Sequence, residues 1–156
     1  MKVFSYLFFL SALIVSCKNK QSTSTKLDSD DYENKEEKIR ILTNQIKPFS
    51  QILDTEFELF NVNGFTNQRL TVPGASSWDY KLAIKLSQED ISKWIVDMED
   101  TTIENYDYGW TIDIVKNRKQ SWQVKSTPKF YTRGNSNIIT LVYKDEGVIF
   151  KRIKNL

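Results

Sequence analysis

Between Gly109 and Ile153 the chain offers five short runs in which apolar and polar side chains alternate, with no stretch long enough for a helix between them. The runs are Gly109 to Val115 with Trp110, Ile112 and Ile114; Ser121 to Lys125 with Trp122 and Val124; Lys129 to Thr132 with Phe130 and Tyr131; Asn137 to Tyr143; and Val148 to Ile153. A period of two puts alternate side chains on opposite faces of a strand. Parallel neighbours need a crossover of a dozen or more residues, so strands this close in sequence must pair antiparallel. Lys144-Asp145-Glu146-Gly147 has the length of a hairpin loop.

The upstream segments supply the helices. Asn34 caps a helical pattern of Ile39, Leu42, Ile46 and Phe49, with Glu36 and Glu37 in the first turn and Pro48 as its stop. Thr55 to Val62 reads as a strand, Asn63-Gly64 as a turn, Gln68 to Val72 as a second short strand, and Pro73-Gly74 as a type II turn. Trp78, Tyr80, Leu82, Ile84 and Leu86 alternate with polar or small residues and mark a strand with one face in the core. Ser87 then caps a helix whose apolar face is Ile91, Trp94, Ile95 and Met98. The expected fold is α+β: an antiparallel sheet of five or six strands, with one or two helices packed on one face. Trp94 is expected to lie on Leu82, Ile84 and Leu86. About 120 residues, 35–156, suffice for a single domain with one core.

The first seventeen residues are of another kind. Lys2 precedes a mostly apolar, uncharged run from Val3 to Val15, and Ile14-Val15-Ser16-Cys17 closes it. A bilayer span needs about 20 apolar residues, so this run is too short to cross and has the form of a secretory signal. Its end resembles the lipobox of bacterial lipoproteins. The resemblance implies that residues 1–16 are removed, that Cys17 carries a diacylglycerol and an N-acyl chain, and that Lys18 behind it favours the outer membrane of the cell envelope. Residues 17–34 are expected to be the lipidated Cys and a flexible tether, since residues 18–34 are polar except for Leu27 and Tyr32. The strand-to-helix unit around Trp78 and Trp94 is similar to small bacterial proteins of unassigned role, which implies an α+β fold and no catalytic residues.

Composition narrows the chemistry. Cys17 is the one cysteine and there is no histidine, so His-based acid–base catalysis, Ser-His and Cys-His nucleophiles and the usual zinc, copper and iron ligand sets are excluded. No motif calls for a cofactor or metal. Gly74-Ala75-Ser76-Ser77-Trp78 starts like a nucleophile elbow but lacks its second glycine. Ser126-Thr127-Pro128-Lys129 has a Ser-x-x-Lys spacing but precedes a strand. Paired acids drawn from Asp79, Glu89, Asp90, Asp97, Glu99, Asp100, Glu104 and Asp107 leave a small carboxylate-dependent envelope hydrolase as an alternative.

Lys and Arg number 22 against 20 Asp and Glu, yet the signs are segregated. Between Lys93 and Lys116 there are acids and no base; from Lys116 to Lys144 there are bases and no acid. One reading is internal neutralisation of the two stretches. The other is a basic face with aromatic rings, built from Arg118, Lys119, Trp122, Lys125, Lys129 and Tyr131, that binds an anionic protein or envelope glycan. Nucleic acid is not an expected partner at such an address. The function expected is that of a non-catalytic, lipid-anchored binding protein, immunity-like or accessory to envelope assembly.

Overall fold

A computed structural model of the protein describes residues 24–65, 77–103, 106–134 and 137–155. The leader, Cys17, the Gln68 to Val72 strand, the Pro73-Gly74 turn and Gly74 to Ser76 of the elbow-like motif lie outside the described residues. Strands β1 (Lys26–Asp28), β2 (Asp54–Asn61), β3 (Trp78–Lys85), β4 (Glu99–Thr101), β5 (Lys129–Arg133), β6 (Ile138–Tyr143) and β7 (Val148–Asn155) form one sheet. Their order is β1-β2-β3-β7-β6-β5-β4, antiparallel throughout. Helix α1 spans Lys35–Gln45, α2 Ile91–Trp94 and α3 Gly109–Asp113, with short 3-10 segments at Ser29–Asp31, Gln88–Asp90 and Lys116–Trp122.

The expected architecture is corrected in two respects. Seven strands replace five or six, and the few small helices cover both faces of the sheet. The reason lies in the central strands, which are apolar on both sides. Leu82, Ile84, Val142 and Ile149 point into one core with Leu42 of α1 and Ile91 and Trp94 of α2. Their neighbours Ala83, Leu141, Tyr143, Val148 and Phe150 point into a second core with Trp110, Val115 and Trp122. A sheet with two apolar faces must be covered twice. We call these the α1 face and the α3 face.

Individual elements follow from local chemistry. Asn34 Oδ1 accepts from the Glu37 amide at 2.8 Å and starts α1 where the capping pattern places it. The strand expected at Gly109 to Val115 is instead α3 and the turn after it. Trp110 and Val115 are buried while Ile112 is 58% exposed, a helical rather than an alternating pattern. The strand expected at Ser121 to Lys125 is also absent. Trp122 ends a 3-10 segment, and the amides of Lys125 and Ser126 go to the Glu146 carboxylate in place of a neighbouring strand. The tether expected over 17–34 is corrected at its C-terminal end. Lys26–Asp28 pairs with Glu58 to Phe60 as an edge strand, and Asp28 caps the turn that follows by accepting from the Asp30 amide.

Gly147 closes the β6–β7 hairpin at φ 65°, and a Cβ there would lie 2.5 Å from the Leu86 carbonyl oxygen. Only glycine allows that approach. It brings the hairpin tip against the end of β3, where the Leu86 amide donates to the Gly147 oxygen at 2.8 Å.

Candidate functional site

The six residues singled out as a binding face are divided among three places. Arg118 turns inward. Its guanidinium donates to both oxygens of Asp54 at 3.0 and 2.7 Å and to Glu56 at 2.6 Å, and these carboxylates raise its pKa, Asp54 first. Glu56 also takes the ammonium of Lys38 at 2.8 and 3.1 Å, and both of those side chains are buried. The four charges join α1, β2 and the 3-10 segment after α3, and the Arg118 charge is spent on two internal carboxylates.

Lys119, Trp122 and Lys125 converge on the α3 face, around a cavity of about 380 Å³ lined by apolar atoms of Ile112, Val115, Tyr143 and Phe150. Trp122 is 3% exposed and belongs to the floor. Its indole N–H has no acceptor among the described residues, and the Lys85 ammonium lies 5.1 Å from the ring centroid. Tyr108 and Ile112 stand at the lip, 51% and 58% exposed. Lys119 and Lys125 are exposed and have no acidic partner among the described residues. A second hollow of about 440 Å³, with Tyr106, Pro128 and Phe130 in its wall, shares Tyr108 and Tyr143 with the first.

Lys129 and Tyr131, two residues apart on β5, share the opposite α1 face and line a groove of about 630 Å³ between α2 and the β6–β7 hairpin. Strand parity explains the split, because Phe130 between them belongs to the α3 core. Lys129 also lies 3.8 Å from Asp100, and Arg133 3.6 Å from Asp97. The acidic stretch therefore pairs in part with the basic one across the β4–β5 ladder, as internal neutralisation requires.

Most of the acids considered for catalysis already have partners. Asp79 holds Arg152 through two hydrogen bonds at 2.9 and 2.6 Å, Asp90 holds Lys93 at 2.6 Å, and Asp107 accepts from the Gly109 amide at 2.9 Å. Glu104 lies outside the described residues. The Ser126 hydroxyl donates to Glu146 at 2.5 Å rather than engaging Lys129.

Glu146, which fixes the Lys125-Ser126 segment beside the groove, is a residue the sequence reading missed, since an acid in a hairpin loop carries no motif. The hydroxyl of Ser126 and then the amides of Lys125 and Ser126 hold its carboxyl down to about 2, below an ordinary 4.5. A depressed carboxylate pKa contributes stability that is complete above 4.5 and disappears as pH falls towards 2. Glu146→Gln is expected to flatten the acid limb of a stability–pH curve across that interval. Parallel limbs for the two proteins in urea titrations would show that the clamp does not form. Lys151 was missed too: it is buried over the Phe49 ring at 5.5 Å, and desolvation, then Arg133, pushes its amine down to about 8.

The sequence matches no family model, and no curated protein or solved structure matches it. The function must therefore be argued from the sites themselves.

Proposed function

We propose that this chain is a non-catalytic binding domain, held by acyl chains on Cys17 at a bacterial envelope membrane, that receives an acidic protein on its α3 face. The outer membrane is the proposed home, and the role is to neutralise that protein or to assist envelope assembly. The observation that carries the reading is the pairing of two unneutralised lysines, Lys119 and Lys125, with an apolar cavity whose lip exposes Tyr108 and Ile112. Protein interfaces concentrate their energy in an apolar anchor seated in such a pocket, while charges at the rim set the encounter rate. The lining carries no carboxylate or histidine to act as a base toward water. The supporting contrast is the carboxylates, most of which are engaged with bases or amides.

The test begins with the anchor. Cys17→Ala should move the protein from the membrane fraction to the soluble one or trap it as uncut precursor, and unchanged membrane retention of a cut protein would overturn the anchoring. The wild-type protein is then used to capture its partner from native membranes. Lys119→Glu with Lys125→Glu should slow association with that partner and weaken its salt dependence, whereas Lys129→Glu, on the other face, should not. Equal association rates at low salt for wild type and the double reversal would overturn the α3 face as the docking surface.

A further inference from the structure

We propose that the groove on the α1 face is a second binding site, independent of the α3 face, and that it accepts an uncharged saccharide. Its volume, about 630 Å³, falls within the range of about 300 to 1,000 Å³ typical of small-ligand sites. Its floor is apolar and includes one aromatic ring: Ile91 from α2, Ile95 just after it, Tyr131 from β5 and Val142 from β6. A pyranose presents such a floor with an apolar face of C–H groups, and presents hydroxyls at its edge.

The walls have the chemistry those hydroxyls need. The Thr127 hydroxyl can donate and accept, while Gln88 Oε1 and the Ser92 and Ser126 oxygens, whose donors are engaged with Asp145, Glu89 and Glu146, remain as acceptors for sugar hydroxyls. Formal charges around the groove cancel, with Glu89 and Asp145 against Lys129 and Lys144. A carboxylate entering would meet the two acids and an ammonium the two lysines, so neither gains what a neutral polyol gains. The α3 cavity differs here, because only lysines carry charge around it.

The groove is also held open from both sides by the same hairpin. Gln88 Nε2 donates to the Asp145 carbonyl, and Glu146 accepts two hydrogen bonds from Ser126 and one from the Lys125 amide. A wall set before binding removes ordering cost from association. That distinguishes a recognition groove from a gap between loops.

The experiment is calorimetric titration of the full chain with cellobiose, maltose and di-N-acetylchitobiose, alongside glucuronate and glucosamine, with amide-shift mapping of the complex. At least one neutral disaccharide should bind, with shifts at Ser126, Thr127 and Tyr131. Tyr131→Ala should lose about tenfold or more in affinity while Tyr131→Phe retains it. Thr127→Trp, at an exposed position outside the core, should block the groove without touching the fold. No binding by any of the three neutral sugars, binding that survives Thr127→Trp, or equal affinity for the charged sugars would each overturn the proposal.

Discussion

Alanine at Glu56 is expected to destabilise the domain by about 3 to 5 kcal/mol, because it strands a buried lysine. Glu56 is 2% exposed and Lys38 is 5% exposed, so removing the carboxylate leaves the ammonium without an acceptor in a place water barely reaches. Arg118 would still hold Asp54, so the loss falls on the Lys38 side of the cluster. Arg118→Ala should cost less, about 1 kcal/mol, since its side chain is 32% exposed and solvent screens part of the interaction. Replacing Lys38 by Met and Glu56 by Leu together should recover much of the single-mutant loss, as happens when a buried pair is exchanged for apolar side chains. Urea unfolding reads all four proteins. A loss below about 1 kcal/mol for Glu56→Ala would mean that the ammonium finds water, and that the pair is not a buried one.

Trp94→Ala should cost a comparable amount, about 3 to 5 kcal/mol, by a different route. The indole is 2% exposed and packs in the core that contains Leu82, Ile84 and Leu86. Phe49 meets its ring edge-on at 5.3 Å, and its N–H donates to Ser50 Oγ at 2.9 Å. A four-residue helix has too few internal hydrogen bonds to stand alone, so α2 persists because Trp94 and Ile91 are buried. Truncating the ring removes both the packing and the reason for the helix. Trp94→Phe, which keeps the apolar contact and gives up the hydrogen bond, should lose about 1 kcal/mol. If the alanine variant unfolds at the wild-type urea midpoint, α2 is held by something other than this side chain.

The strands best read from sequence were those whose alternation ran through five or more residues between turn signals, as in Trp78 to Leu86, Asn137 to Tyr143 and Val148 to Ile153. Their pairing partners were not legible, nor was the double coverage of the sheet. Ala83 shows why: read as the polar-side neighbour of Leu82 and Ile84, it is fully buried in the second core, and alanine is too small to declare its face. β4 was hidden because Glu99-Asp100-Thr101 has no apolar residue; the ladder to Thr132, Tyr131 and Phe130 makes it a strand. The misread at Gly109 to Val115 has an arithmetical cause. Trp110, Ile112 and Ile114 fit a period of two, but Trp110 and Ile114 also fit a helical spacing of four, and so short a run cannot separate them. At the candidate sites, charge and aromaticity picked out residues that line cavities, but only the β-strand parity and the inward turn of Arg118 decide which of them share a surface.

The position of β7 has a consequence for how the molecule is made. Within the sheet, β1, β2 and β3 form one ladder and β4, β5 and β6 another, and the two are joined solely by β7, which inserts between β3 and β6. Nothing synthesised before Val148 can close the sheet. Until then two half-sheets wait with the exposed edges of β3 and β6, which invites mispairing if the chain lingers in that condition. Threading the middle strand last, from the far end of the sequence, makes the closing step one of long loop closure, so the refolding rate should answer to substitutions in β7 more than to those in the helices.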